Sequence, residues 1–377
     1  MRPIRRCAAL VSGITLLAVG CSSGSTPATP IATATATHTA TTTPVASVAT
    51  QVPSEAAQPT YLRPTTETPA GYRRGPTVPF GVLLAADGVL VSASSEPATL
   101  DRWDEATMKK LDPIHLGTPD AFPPDLTALV PGSDGVWVNV PSEHHVALLD
   151  PRSGKVTRTV EVEALPFNMH EVDGQLLIVD YGSERLTRYD LASDAVVATH
   201  TTTKPTDVLV AEDSIWLAQH VGRRESYEPL SFGGFVERLN WETTTQEAIV
   251  KVGSRPGSLV AGFGSVWTGT FAGGSVDRID ASTNEVTTIF VGEDGAFDIE
   301  VIGDSVWATT GPQWHSRDAE TSFFVRIDPT TNQMRERIGF PCPLDIVPAA
   351  RGFWVRGDCA EPPTAGGASS TFFEQVE

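Results

Sequence analysis

One pattern recurs along most of this chain, and it constrains the fold more than any other feature. A position two residues after a proline, or its equivalent, returns at Gly81, Asp125, Asn168, Asp207, Ser258, Asp298 and Asp345, at steps of 39 to 51 residues. Nine residues beyond it come Leu90, Leu177, Trp216, Trp267, Trp307 and Trp354. The second unit takes twelve, to Trp137, because Pro131-Gly132-Ser133 reads as a longer turn. An apolar residue followed by Asp or Asn then opens a turn at Asp104, Asp150, Asp190, Asn240, Asp280 and Asp328. Four short strands fit each unit.

Units of about 40 to 50 residues with four strands are the signature of a β-propeller, in which each blade packs both faces against its neighbours. Runs such as Val208-Leu209-Val210 and Leu176-Leu177-Ile178 agree, since a sheet buried on both sides needs no alternation. The expected fold is therefore all-β: a seven-bladed β-propeller of four-stranded blades. The seventh unit ends at Phe372 to Glu377, one strand short, and an open edge would expose unpaired backbone groups. Residues within Glu67 to Val78 are expected to complete the last blade beside Phe372 to Val376, so that an N-terminal strand closes the ring.

Gly264-Ser265-Val266-Trp267, Asp304-Ser305-Val306-Trp307 and Arg326-Ile327-Asp328-Pro329-Thr330-Thr331-Asn332 resemble the repeats of the bacterial YVTN and virginiamycin B lyase-like propellers, over about residues 79 to 377. The resemblance implies blade architecture. The lyase branch uses a divalent metal with His and Glu, and that motif has no residue-by-residue match here, so no catalytic role is carried over.

The N-terminus specifies an address. A basic start (Met1 to Arg6), an apolar run (Ala8 to Val19) and then Ala18-Val19-Gly20-Cys21 resemble a bacterial lipoprotein signal, with Cys21 as the lipidated residue. The apolar run is shorter than the roughly 20 residues a membrane helix needs. From Ser22 to about Pro59 the chain is almost entirely Thr, Ala, Pro, Ser and Val, without hydrophobic periodicity, and such a stretch cannot offset its ordering entropy. The expected organisation is a signal peptide over 1–20, a disordered tether over 21–60 and the propeller over 61–377. The protein is expected to be exported and held by lipid on the outer face of the bacterial cytoplasmic membrane, in the cell envelope.

Charge excludes one class of partner. The chain has 46 acidic against 27 basic residues, a formal net charge of −19, and three of the arginines lie in the leader. Phosphate-backbone binding needs clustered Lys and Arg, so nucleic acid is not an expected partner. Outside the leader and Cys21 there remain Cys342 and Cys359, equidistant from a turn at Ala350-Arg351. In an exported chain a disulfide between them is expected, worth about 3 kcal/mol in the chain-entropy model.

Candidate ligand-binding residues fall on one face, where the innermost strands begin and the connections between second and third strands emerge. Asp125, Asn168, Asp207, Asp298 and Asp345 would form a polar, mostly acidic ring around its mouth. Two readings stand for it: each Asp caps its own turn through backbone N–H groups, or the ring holds a cation. No cofactor is expected beyond a divalent cation, and metal ligands are not assigned. Long connections run over Gln219 to Gly234, Thr309 to Ser322 and Ala360 to Ser370. They carry His220, Arg223, Arg224 and Tyr227 in one and Trp314, His315 and Arg317 in another, a mixture suited to a carbohydrate or other small molecule, or to an envelope protein. His170 and Glu300 replace apolar residues found at the same strand position in other units. Two functions remain open: a non-enzymatic binding module working through this face, and an extracellular lyase or hydrolase that would use acidic residues with a divalent metal.

Overall fold

The computed structural model describes residues 60–61, 72–78, 81–95, 98–117, 127–162, 165–220, 233–271, 273–292, 295–311, 323–339, 343–349, 352–357 and 368–374. Its strands form an all-β propeller of four-stranded antiparallel blades. Six sheets have four strands, and one, the sixth in chain order, carries a fifth: Thr60–Tyr61 runs parallel to Gln333–Gly339, with Thr60 opposite Ile338. The fourth sheet represents the pattern. Pro205–Ala211 is innermost, followed outward by Ser214–His220, Gly234–Asn240 and Gln246–Val252, each antiparallel to the one before. The innermost strands of successive sheets are neighbours around the ring, and Pro343–Ala349 of the seventh lies beside Gly81–Ala86 of the first. In the seventh sheet the outermost strand is Tyr72–Val78, antiparallel to Ala368–Glu374, with Tyr72 opposite Phe373 and Val78 opposite Ala368.

The large residue of the second strand fills the space between sheets. Trp137, Trp216, Trp267 and Trp354 are fully buried, and Trp307 is 6% exposed. Trp216 packs with Leu259, Val266 and Ile279 of the fifth sheet, Trp267 with residues of the sixth, and Trp354 with Leu83 and Leu90 of the first. Each cluster joins two neighbouring sheets, so no sheet has a complete core of its own.

The ladders correct the repeat alignment in two units. Trp216 pairs with Leu209 and Arg238, and Trp137 pairs with Val130 and Leu148. By that register the place of Asp207 falls in the second sheet to Ala128, nine residues before Trp137, and not to Asp125, which lies outside the described residues. Pro131 and Gly132 belong to the strand, so the turn there is no longer than elsewhere. In the first sheet Val91, opposite Arg102, takes the tryptophan's place instead of Leu90, and Val82 takes the ring position instead of Gly81. The long connections are also shorter than expected. Gln219 and His220 end a strand and Gly234 begins one, Thr309 lies in Ser305–Gly311, and Ala368 begins the last strand.

On the face opposite the ring mouth, the turn-opening Asp and Asn residues accept backbone N–H bonds as Asx turns. Asp280 accepts from Ser282 and Thr283, and Asp328 from Thr330 and Thr331. The Ser282 hydroxyl first, and then these N–H groups, hold the Asp280 carboxyl down at about 2, and Arg335 with the turn N–H groups does the same for Asp328. An arginine two residues before the turn ties it to the next sheet. Arg238 donates to Ala281 O at 2.7 Å and Arg278 to Pro329 O at 2.5 Å and Asn332 Oδ1 at 2.8 Å. Both guanidinium groups lie 5.0 Å from the indole centroid of their own sheet, over Trp216 and Trp267. Arg102 and Arg188 make the same crossing from the first and third sheets.

Candidate functional site

The innermost strands of all the sheets surround a central cavity of about 840 Å³, within the size range of small-molecule sites. Its wall is set by a kink near the start of several of these strands. The ladder shifts register between Pro166 and Asn168, Pro205 and Asp207, Pro256 and Leu259, Ala296 and Ile299, and Pro343 and Asp345. Such a bulge leaves an extra residue unpaired and re-aims the side chains beside it. In the first sheet no shift interrupts the ladder, and the ring position is Val82.

Those re-aimed side chains reach sideways into the next sheet. Asn168 Nδ2 donates to Asp207 Oδ1 at 2.7 Å, and Asp207 Oδ2 accepts the Leu259 N–H at 2.6 Å. Ser258 Oγ accepts from Ile299 N–H at 3.2 Å, and Asp298 Oδ2 from Ile346 N–H at 2.8 Å. Asp345 takes a different partner, the Arg356 guanidinium, at 2.6 Å. The turn-capping reading thus describes half of Asp207, whose Oδ1 also accepts its own Val208 N–H at 2.9 Å. The other half is a blade-to-blade latch that single-chain periodicity does not reveal.

The ring is consequently one-sided. Asn168, Asp207, Ser258, Asp298 and Asp345 form a polar arc over five sheets, whereas Val82 and Ala128 make the arc apolar over the first two. Two strand steps deeper, Leu84, Val130, Leu209, Val260 and Val347 line the wall together with His170 and Glu300, which the sequence singled out. Phe271 and Phe297 also face the cavity, edge to face with centroids 5.0 Å apart. Gly295 permits this approach, because a Cβ there would lie 2.5 Å from Phe271 O.

Burial in this wall disfavours charge. It pushes the Asp207 carboxyl up to about 7 against the pull of the Leu259 and Val208 N–H groups. Asp298 is also raised to about 7, by burial and then by the Asp345 carboxylate. Glu300 is held well above the usual carboxylate range by burial and then by Asp298 and Asp207. Burial lowers the His170 imidazole. Arg356 is almost wholly buried, and its Nη1 has no hydrogen-bond partner.

His220 lies at a strand end with its Nε2 3.2 Å from Pro256 O, and burial followed by the Arg255 charge lowers its pKa. Arg223, Arg224, Tyr227, Trp314, His315 and Arg317 lie outside the described residues, as do Cys21, Cys342 and Cys359. Among the described residues no three His, Cys, Asp or Glu side chains gather closely enough to hold a metal ion. Phe271 and Phe297 were missed by sequence reading, although Phe297 directly precedes the ring residue Asp298. The arginine latches were missed too, yet Arg-x-Asp or Arg-x-Asn recurs at 102, 188, 238, 278 and 326.

No protein-family model and no curated protein sequence matches the chain. Solved structures do. The computationally designed Ika8 protein superposes with a TM-score of 0.55 at 10% identity, over 79% of this chain and 97% of that one. The structure of U3-55K gives a TM-score of 0.59 at 12% identity, over 80% and 98%. At these identities the likeness is one of fold alone.

Proposed function

We propose that this chain is a lipid-anchored protein of the bacterial cell envelope whose propeller binds a small-molecule ligand in its central cavity and catalyses no reaction on it. The carrying observation is the cavity itself, about 840 Å³ with a polar arc facing an apolar one. Ligand sites are commonly of this kind, mostly apolar with a few oriented polar groups. The signal-like start ending at Cys21 supports export and anchoring, with residues 21–60 as tether and 61–377 as the folded body. Gly264-Ser265-Val266-Trp267, Asp304-Ser305-Val306-Trp307 and Asp328-Pro329-Thr330-Thr331-Asn332 support kinship with the YVTN and virginiamycin B lyase-like propellers. The circle of innermost strands and the Tyr72 to Phe373 ladder support a seven-bladed ring that an N-terminal strand completes. Ring carboxylates engaged by Leu259 N–H, Ile346 N–H and Arg356 favour a structural and binding role over metal chemistry.

Cavity and loops are separable. Val260→Trp should project an indole into the cavity and weaken small-molecule binding at least tenfold, while deletion of residues 221–233 should leave binding intact. The reverse pattern would move the site to the connections and make a protein partner the better reading.

A further inference from the structure

The cavity's lining restricts the chemistry of its ligand. Acidic groups dominate one quadrant: Asp207, Asp298 and Glu300, on the innermost strands of the fourth and sixth sheets. Among the described lining residues Arg356 is the one permanent cation, and its Nε is already paired with Asp345. Glu171 is satisfied elsewhere, by Trp137 Nε1 at 2.5 Å and Ser133 N–H at 3.1 Å, and burial lowers the pKa of the His170 imidazole. Glu300 differs from all of these. Asp207 and Asp298 are tied to backbone N–H groups of the next sheet, but among the described residues Glu300 has only the N–H of its own neighbour, Val301.

The Phe271 and Phe297 pair, from the fifth and sixth sheets, lines the same cavity nearer its mouth, and across from these sheets lies the apolar arc of Leu84 and Val130. Aromatic faces attract cations, and more strongly when both are desolvated. A buried carboxyl with no countercharge is the group a cationic ligand stabilises most on arrival.

We propose that the central cavity takes an organic cation: a protonated or quaternary amine seated between Glu300, Asp298 and the Phe271 and Phe297 rings, with its apolar body against the Leu84 and Val130 arc. The inference rests on the cavity being the working site and adds the ligand's class. Because the carboxyls that face Glu300 are also raised by burial, the cation must draw protons from the wall, and affinity must rise with pH through neutrality. Asp345, Arg356, Glu171 and His170 complete the set of titratable or charged groups on this wall, and none of them places a free positive charge beside Glu300.

The test uses 4-phenylbutylamine and its neutral counterpart 4-phenylbutan-1-ol, titrated calorimetrically into the full chain carrying Cys21→Ser, at pH 5.5 and pH 8. The amine should bind at least tenfold more tightly than the alcohol at pH 8, and at least fivefold more tightly at pH 8 than at pH 5.5. Glu300→Gln should remove most of both differences while leaving the alcohol's weak affinity unchanged. Equal binding of amine and alcohol, weakened by Val260→Trp, would overturn the cationic class and leave the cavity reading standing. Amine binding that neither Val260→Trp nor Glu300→Gln changes would place the cation elsewhere and overturn the proposal. If neither probe binds the wild-type chain at millimolar concentration, both readings fail.

Discussion

Two kinds of aspartate give this protein opposite responses to pH. Asp280 and Asp328 are turn residues whose carboxyls are held at about 2 by their donors. Their folded pKa lies below the unfolded one, so their stabilisation is present above about pH 4 and is lost as pH falls toward 2. Asp298 is the reverse case. Its folded value of about 7 lies above the unfolded one, so ionisation costs stability as pH rises from about 4 to 7. Asp298→Asn keeps an oxygen for the Ile346 N–H and removes the buried charge. The variant should exceed the wild type in urea-unfolding free energy by on the order of 2 kcal/mol at pH 8, with the difference vanishing near pH 4. A loss at pH 8 would mean that the ionised carboxylate is itself stabilising. Arg278 makes two charge-assisted bonds to the next sheet and lies over Trp267. Arg278→Ala should cost about 2 to 4 kcal/mol, and Arg278→Lys should recover little, since an ammonium cannot span both acceptors and stack.

At the scale of strands, the nine-residue spacing to a buried tryptophan was legible because it reflects one hairpin: an inner strand, a two-residue turn and the middle of the next strand. It misled where the eye fixed on a carboxylate. Asp125 looked like a ring residue because ring residues elsewhere are acidic, yet the ladder gives that place to Ala128. The latches were illegible for a different reason. A bulge adds one residue without changing the apolar pattern, and which neighbour a re-aimed Asp meets depends on the adjacent sheet. The pairing of Tyr72–Val78 with Ala368–Glu374 joins chain segments nearly 300 residues apart, and such an edge strand is held by its ladder on one side only. Amide exchange in the two segments should therefore slow together, and removal of residues 1–78 should speed exchange in 368–374 by tenfold or more while leaving Ser265–Thr270 in the fifth sheet protected. Unchanged exchange in 368–374 after truncation would show that the N-terminal strand does not close the ring.

Over the whole molecule, repetition builds the ring and departures from repetition build the cavity. Every inter-sheet cluster uses the same large second-strand residue or its equivalent, so the ring holds while the inner-wall residues differ from sheet to sheet. It is there that Val82 and Ala128 replace polar residues and that Glu300 and His170 replace aliphatic ones. Fold was legible from the repeat; the site could be read only after the register showed which residues share one wall. The proposal stands or falls on whether this wall, and not the connections around it, receives the ligand. A crystal structure of the chain grown with 4-phenylbutylamine would decide it. The ammonium group is expected within 4 Å of Glu300 and beside the Phe271 ring, with the phenyl group toward Leu84 and Val130. A probe bound only at residues 221–233 or 312–322, with the central cavity unchanged, would contradict it.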